Sequence, residues 1–204
     1  MSSHEWPGGR SPRALVAGVV LGVVLAASGT APGVASAPPA GAPTPAECAA
    51  VDHEFTPTAL SIAGVIGPTR VLALGRDRDG VPRTPPLTDR GKWQFSWDRA
   101  SRTRPGGSWG VIRLAAHTYP SFAGTALGNR LLARLRPGAQ ITVTGAGGEV
   151  LCYRVSRREI VRADNTTADY YSTTGRSRLA ILVCSGIRRG PGNWSHRTIW
   201  YAVP

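Results

Sequence analysis

The chain has 204 residues, including 25 glycines and 17 prolines, and only 18% are charged, which argues for short elements joined by turns and against long surface helices. Its 24 basic and 12 acidic residues give a formal net charge of +12, a balance that suits an anionic partner. The arginines are nonetheless scattered (Arg76, Arg102, Arg134, Arg157, Arg188), and no helix-turn-helix, zinc module or aromatic RNA-binding strand accompanies them, so nucleic acid is not the expected partner.

In chain order, Arg10 and Arg13 precede the apolar run Ala14–Ser28, the pattern of a secretory signal over residues 1–28. The run is short beside the roughly 20 residues of a spanning helix. Ala35-Ser36-Ala37 and Gly33-Val34-Ala35 both resemble cleavage sites. A cleaved signal and a retained N-terminal membrane anchor both remain open, and either puts the rest of the chain outside the cytoplasmic membrane. Residues 29–46 are rich in Ala, Pro and Gly and read as a semi-extended tether. The remainder, 47–204, is the usual size of one domain.

Within it, short apolar or alternating runs bounded by turn residues read as strands. They are Leu60–Ile66, Val71–Leu74, Gly110–Ala116, Gln140–Thr144, Glu149–Val161, Leu179–Cys184 and Thr198–Val203. Gly145-Ala146-Gly147-Gly148 reads as a hairpin turn. No helix start follows it, so a dinucleotide-binding loop is rejected. Ala126–Leu135 reads as one short helix, with Leu127, Leu131, Leu132 and Leu135 on one face and a stop at Arg136-Pro137-Gly138. The fold class expected is all-β, a barrel or sandwich with one or two short helices.

Three cysteines are present. In an oxidising compartment an odd count suggests one disulfide and one free thiol. The simplest pairing is Cys48 with Cys152, leaving Cys184 reduced. Cys184 closes the apolar run Leu179–Val183 and meets the loop at Ser185-Gly186, a position that is rigid yet accessible. A buried structural thiol fits the same position. His117 likewise ends a strand, Val111–Ala116, and an imidazole beside a thiol can take its proton and return it to a leaving amine. Arg197 opens the last strand and is a candidate donor to a developing oxyanion. His196, its neighbour, competes as the basic partner, and adjacent strand residues face opposite sides. The neighbours Thr118 and Ser185, and Trp194 in the loop before Arg197, are the candidates for substrate contacts. No metal constellation is present in the sequence, and no cofactor is expected.

The order of these features resembles the sortase family, most closely its actinobacterial class E/F-like branch, over Phe55 to Pro204. Leu60-Ser61-Ile62-Ala63-Gly64-Val65 resembles the family's first strand. Leu132–Val143 resembles the Leu-x-x-Leu-x-x-Gly-Asp-x-Ile-x-Val segment that follows the family's histidine. This chain departs from the pattern at Ala116, where the family usually has Gly, and at Val183, where it has Thr. The resemblance implies a closed sortase barrel of about eight strands and a triad of His117, Cys184 and Arg197. It also implies a monomeric cysteine transpeptidase that cuts LPxTG-like sorting signals between Thr and Gly. A Cys184 thioester would then pass the protein to an amine of a peptidoglycan precursor or cross-bridge. Two other readings of the same residues are a weak or inactive sortase-like wall-binding module and an L,D-transpeptidase. The Ser-His-Gly-Cys stretch of the latter is absent.

Overall fold

The computed structural model describes residues 48, 51–165 and 167–204. The export segment and tether expected over 1–46 lie outside the described residues.

Eight strands close into a barrel in the order β1-β2-β3-β4-β7-β8-β6-β5. They are β1 (Pro57–Ile62), β2 (Ile66–Leu74), β3 (Phe95–Asp98), β4 (Val111–Ala116), β5 (Gln140–Gly145), β6 (Val150–Arg162), β7 (Arg178–Gly190) and β8 (Asn193–Val203). Two short α-helices, α1 (Leu127–Arg134) and α2 (Ala168–Tyr171), and three single 3-10 turns at Gly91–Trp93, Arg99–Ser101 and Ser121–Ala123 complete the described elements. The expected all-β barrel with short helices is the fold observed. Neighbouring strands are antiparallel except β2 with β3 and β4 with β7.

The barrel interior is one apolar cluster that includes Leu60, Ile62, Phe95, Trp97, Ile112, Leu114, Ile141, Leu179, Ile181, Val183 and Trp200. Side chains on a strand alternate faces, yet β4, apart from Arg113, and the Leu179–Val183 part of β7 are apolar on both faces. The reason is that their outer faces are also covered. Val111, Ala180, Ile199 and Tyr201 form a second cluster under Tyr170 of α2. A parallel pair buried on both sides shows no alternation.

Three boundaries differ from the sequence expectation. The run Leu60–Ile66 is two strands, not one. It breaks at Ala63-Gly64-Val65, where Gly64 takes a φ of +71° that β-branched residues avoid. Strand β3 was not expected: four residues are too few for a periodic signal, Gln94 precedes it, and Ser96 and Asp98 within it are polar. The last two strands run on beyond Cys184 and start before Thr198, meeting in a hairpin at Gly190–Asn193.

Helix α1 buries Leu127 and Leu131 against the core. Its Asn129 carboxamide accepts from the Ala126 and Tyr119 amides at 3.0 and 2.9 Å and donates to the Tyr119 carbonyl at 2.8 Å. One side chain thus caps the helix and braces the segment after β4. Cys48 is disulfide-bonded to Cys152 with Cα atoms 5.4 Å apart, which pins the chain ahead of β1 to β6.

Candidate active site

Strands β4 and β7 pair in parallel, and their last pair is Ala116 with Val183. His117 and Cys184 each stand one residue beyond it, so the parallel register carries both to the same barrel rim. The Thr118 hydroxyl locks the two ends together by donating to the Cys184 carbonyl at 2.7 Å. On the other side of β7, Cys184 lies directly opposite Arg197 of β8. The three residues therefore stand on three adjacent strands in the order His117, Cys184, Arg197.

Alternation decides which neighbours face the thiol. Val183 points into the core with Leu179 and Ile181, so Cys184 takes the outer face with Ala180 and Leu182. On β8, Arg197 shares that face with Ile199 and Tyr201. His196 is paired with Ser185 on the opposite face, where its Nδ1 meets the Ser195 hydroxyl at 2.8 Å. Of the two adjacent candidates, Arg197 is the one on the thiol's side.

Cys184 is half-buried and is the free cysteine among the described residues. Burial pushes its thiol up, and the Arg197 charge pulls the other way without overcoming burial. Arg197 Nη1 donates to the carbonyls of Trp194 and His196 at 3.3 and 3.0 Å. These bonds aim the guanidinium and leave its other N–H groups for a ligand.

The His117 ring is held from an unexpected quarter. Its Nε2 lies 2.6 Å from the carbonyl oxygen of Pro85, in the loop between β2 and β3. A carbonyl can only accept, so Nε2 carries the proton and Nδ1 is the ring's free base in the neutral form. That loop is tightly built. The Pro86 carbonyl accepts from the Thr88 amide at 2.8 Å, and a Cβ on Gly91 would stand 1.8 Å from the same oxygen. The ring also meets Tyr119 edge-on at 6.0 Å, and Lys92 lies over Tyr119 at 5.1 Å.

Thr118 and Ser185, expected as substrate contacts, are buried and engaged. Thr118 bonds the Cys184 carbonyl, and the Ser185 hydroxyl accepts from Thr198 at 2.9 Å. Both hydroxyls are engaged in holding neighbouring strands together. Trp194 is half-buried and lines an open groove of about 490 Å³ beside Arg197. Among the described residues no group of three metal-ligating side chains comes together.

Further along the outer face, at the level of Ala180, Arg113 of β4 is 2% exposed and Asp98 of β3 is 3% exposed. Asp98 accepts from Arg76 at 2.8 and 3.2 Å and lies 3.6 Å from Arg113. Desolvation pushes Arg113 down, and the Asp98 charge works against that. Neither this cluster nor the Pro85 carbonyl was legible in the sequence. A backbone carbonyl has no residue signature, and Asp98 belongs to the strand that periodicity missed.

The family model described as Sortase domain matches residues 89–204, more than half of the chain. The chain belongs to the sortase family. The match spans His117, Cys184 and Arg197 and takes in six of the eight strands. The barrel is similar to that of sortase C1 from Streptococcus agalactiae in complex with MTSET. The TM-score is 0.52 at 16% identity, covering 71% of this chain and 66% of that one. It is also similar to a pilus-related sortase C of Group B Streptococcus, with a TM-score of 0.51 and 17% identity over 75% of this chain and 68% of the other. Sortase C-1 from Actinomyces oris gives 0.50 and 20% over 71% of each chain. At these identities the likeness is one of fold. The chain spans about two thirds of the length of the solved sortases it matches first. No curated protein matches it.

Sortases are a family of cysteine transpeptidases, and Cys184 is this barrel's free thiol among the described residues. The two departures from the sortase pattern nearest the site, Ala116 and Val183, are partners in register and both face the core. A Gly–Thr pair has become an apolar Ala–Val pair inside the barrel, away from the face that carries Cys184.

Proposed function

We propose that this sortase cleaves LPxTG-like sorting signals between Thr and Gly and transfers the acyl part to an amine of the cell wall. The observation that carries the reading is a free thiol on β7 between a histidine just past the end of β4 and an arginine directly opposite it on β8. Cys184 attacks the Thr carbonyl as the thiolate, with Arg197 donating to the oxyanion. His117, as imidazolium, gives a proton to the departing Gly amine, and the carbon–nitrogen bond breaks to leave a thioester. The wall amine then attacks the thioester, loses a proton to Nδ1 of the now neutral His117, and expels the thiolate as the new amide bond forms. The Pro85 carbonyl supports this by holding Nε2–H, so that the proton in transit is the one on Nδ1.

Burial of the thiol favours its neutral form at rest, so the reactive thiolate forms by transfer to His117 as substrate closes the site. The requirement for thiolate and imidazolium together implies a bell-shaped dependence of kcat/KM on pH. Exposed apolar side chains on segments that carry the site support an extended, partly apolar peptide as ligand. They are Leu87 near Pro85, Phe122 after His117 and Ile187 after Cys184. Export through the segment at 1–28, by cleaved signal or retained anchor, puts the barrel where secreted substrates and peptidoglycan amines meet it. Among the described residues no helix is long and apolar enough to cross a membrane.

The test is a Leu-Pro-Ala-Thr-Gly peptide offered with and without an amine acceptor. The expected outcome is release of the Gly fragment and a covalent acyl-enzyme on Cys184, both abolished by Cys184→Ala with the barrel's circular dichroism retained. Unchanged cleavage by Cys184→Ala would sink the mechanism.

A further inference from the structure

The β7–β8 ribbon continues past Cys184 to its turn, and its register slips twice, between Ser185 and Arg188 and between Arg188 and Gly190. Such bulges re-aim side chains beside functional sites. The first slip contains Gly186 at a φ of +79°, where a Cβ would stand 2.4 Å from the Ser195 hydroxyl. The second falls at Arg189 and sets it in the wall of the groove beside Arg197. Arg162, Asp164 and Trp194 complete that wall.

The groove holds more positive charge than its own carboxylate can meet. Asp164, its single carboxylate, is bound by Arg162 at 2.9 and 3.1 Å. Arg197 bonds only backbone carbonyls, and Arg189 is exposed and makes no ion pair among the described residues. Two guanidinium groups therefore face the groove without an ion-pair partner among the described residues, and Asp164, which the Arg189 charge also reaches, is already held by Arg162. A half-buried indole forms part of the same wall and lowers the local dielectric, which strengthens attraction for an anion.

The strand order gives the groove a direction. His117, which must protonate the leaving amine, lies on the β4 side of Cys184. Arg197 and the groove lie on the β8 and β6 side. A peptide crossing the strand ends with its leaving amine at His117 sends the residues before the scissile bond toward Arg197 and Arg189. We propose that this groove binds an acidic side chain of the donor peptide upstream of the scissile bond, an inference that rests on Cys184 being the acylated residue. The carboxylate stays charged and unmodified; it serves recognition only.

The test uses the full chain carrying Cys184→Ala and fluorescein-labelled Leu-Pro-Ala-Thr-Gly peptides preceded by two aspartates, two asparagines or two lysines. Anisotropy at low salt should show the aspartate peptide bound about fivefold tighter than the asparagine peptide, with lysine weakest. Added salt should shrink the spread. Adding Arg189→Glu should abolish or invert the order, and Arg189→Lys should keep it. Equal binding of the three peptides, or an order that survives Arg189→Glu, overturns the proposal. So does a carboxylate preference found only on the acceptor amine in transfer assays, because the groove would then serve the other half of the reaction. An aspartate preference in binding, together with no cleavage of any peptide by the wild-type chain, would instead overturn the transpeptidase reading alone.

Discussion

The two faces of β7 are built on different terms. Inward, Leu179, Ile181 and Val183 join Trp200, Ile112 and Ala116 in a single apolar cluster. Outward, the apolar layer of Ala180 and Leu182 borders the buried pair Arg113–Asp98 and then the open rim with Cys184 and Arg197. The inner face has only to fill space. The outer face must hold charges beside a thiol while keeping the strand ends fixed. One strand therefore carries stability on one side and chemistry on the other, and a residue's distance from Cys184 along the chain says little about its effect on the reaction.

Three substitutions separate these roles. The largest effect is expected from Asp98→Ala, which strands Arg113 in the barrel wall without its counter-charge. Loss of one partner from a buried pair costs about 3–5 kcal/mol, readable as a lowered urea midpoint with an unchanged slope. A cost under about 1 kcal/mol would mean that the Arg76–Asp98–Arg113 cluster is solvated and that the outer face is less demanding than described.

Next comes Arg197→Gln, expected to leave the barrel intact and to lower kcat/KM for peptide cleavage by about 10²- to 10³-fold. It also removes the one influence that opposes the upward push of burial on the Cys184 thiol. With the thiol's pKa raised further, a smaller fraction is thiolate at any neutral pH. Alkylation by iodoacetamide should therefore slow, and its rate-against-pH curve should move to higher pH. A curve that stays in place would show that Arg197 does not sense the thiol.

The smallest effect belongs to Val183→Thr, which restores the residue usual in sortases. Its hydroxyl would enter the apolar interior, at a cost of about 1–3 kcal/mol if it finds no partner. Peptide cleavage should not improve. A clear gain in kcat at unchanged stability would show that this position reaches the reaction after all, and would erase the division between the faces.

Much of the fold was legible because its strands obey simple rules. The mostly apolar runs that lead to Ala116 and Cys184 stood out, and the first closes at a true strand end while β7 runs on to Gly190. The helix over 127–134 declared itself through leucine spacing and the Pro-Gly stop. Other parts had no local signal. Strand β3 is held by pairing with β2 and β4, not by its own pattern, and the β7–β8 ribbon extends through Gly, Ser and Arg residues that read as loop. Within the site, the Pro85 carbonyl and the aim of Arg189 depend on loop path and bulge placement.

The sequence by itself determined the class of fold, the leftover cysteine, and the apolar runs that lead to His117 and Cys184, because these follow from periodicity and composition within short windows. Only the tertiary structure decided that Arg197 and not His196 shares the face of Cys184, that Val183 and Ala116 are buried partners, and that His117 is held by a distant carbonyl. Each of these depends on register between segments far apart in the chain. A shift of one residue would exchange inside for outside, and no local pattern encodes it.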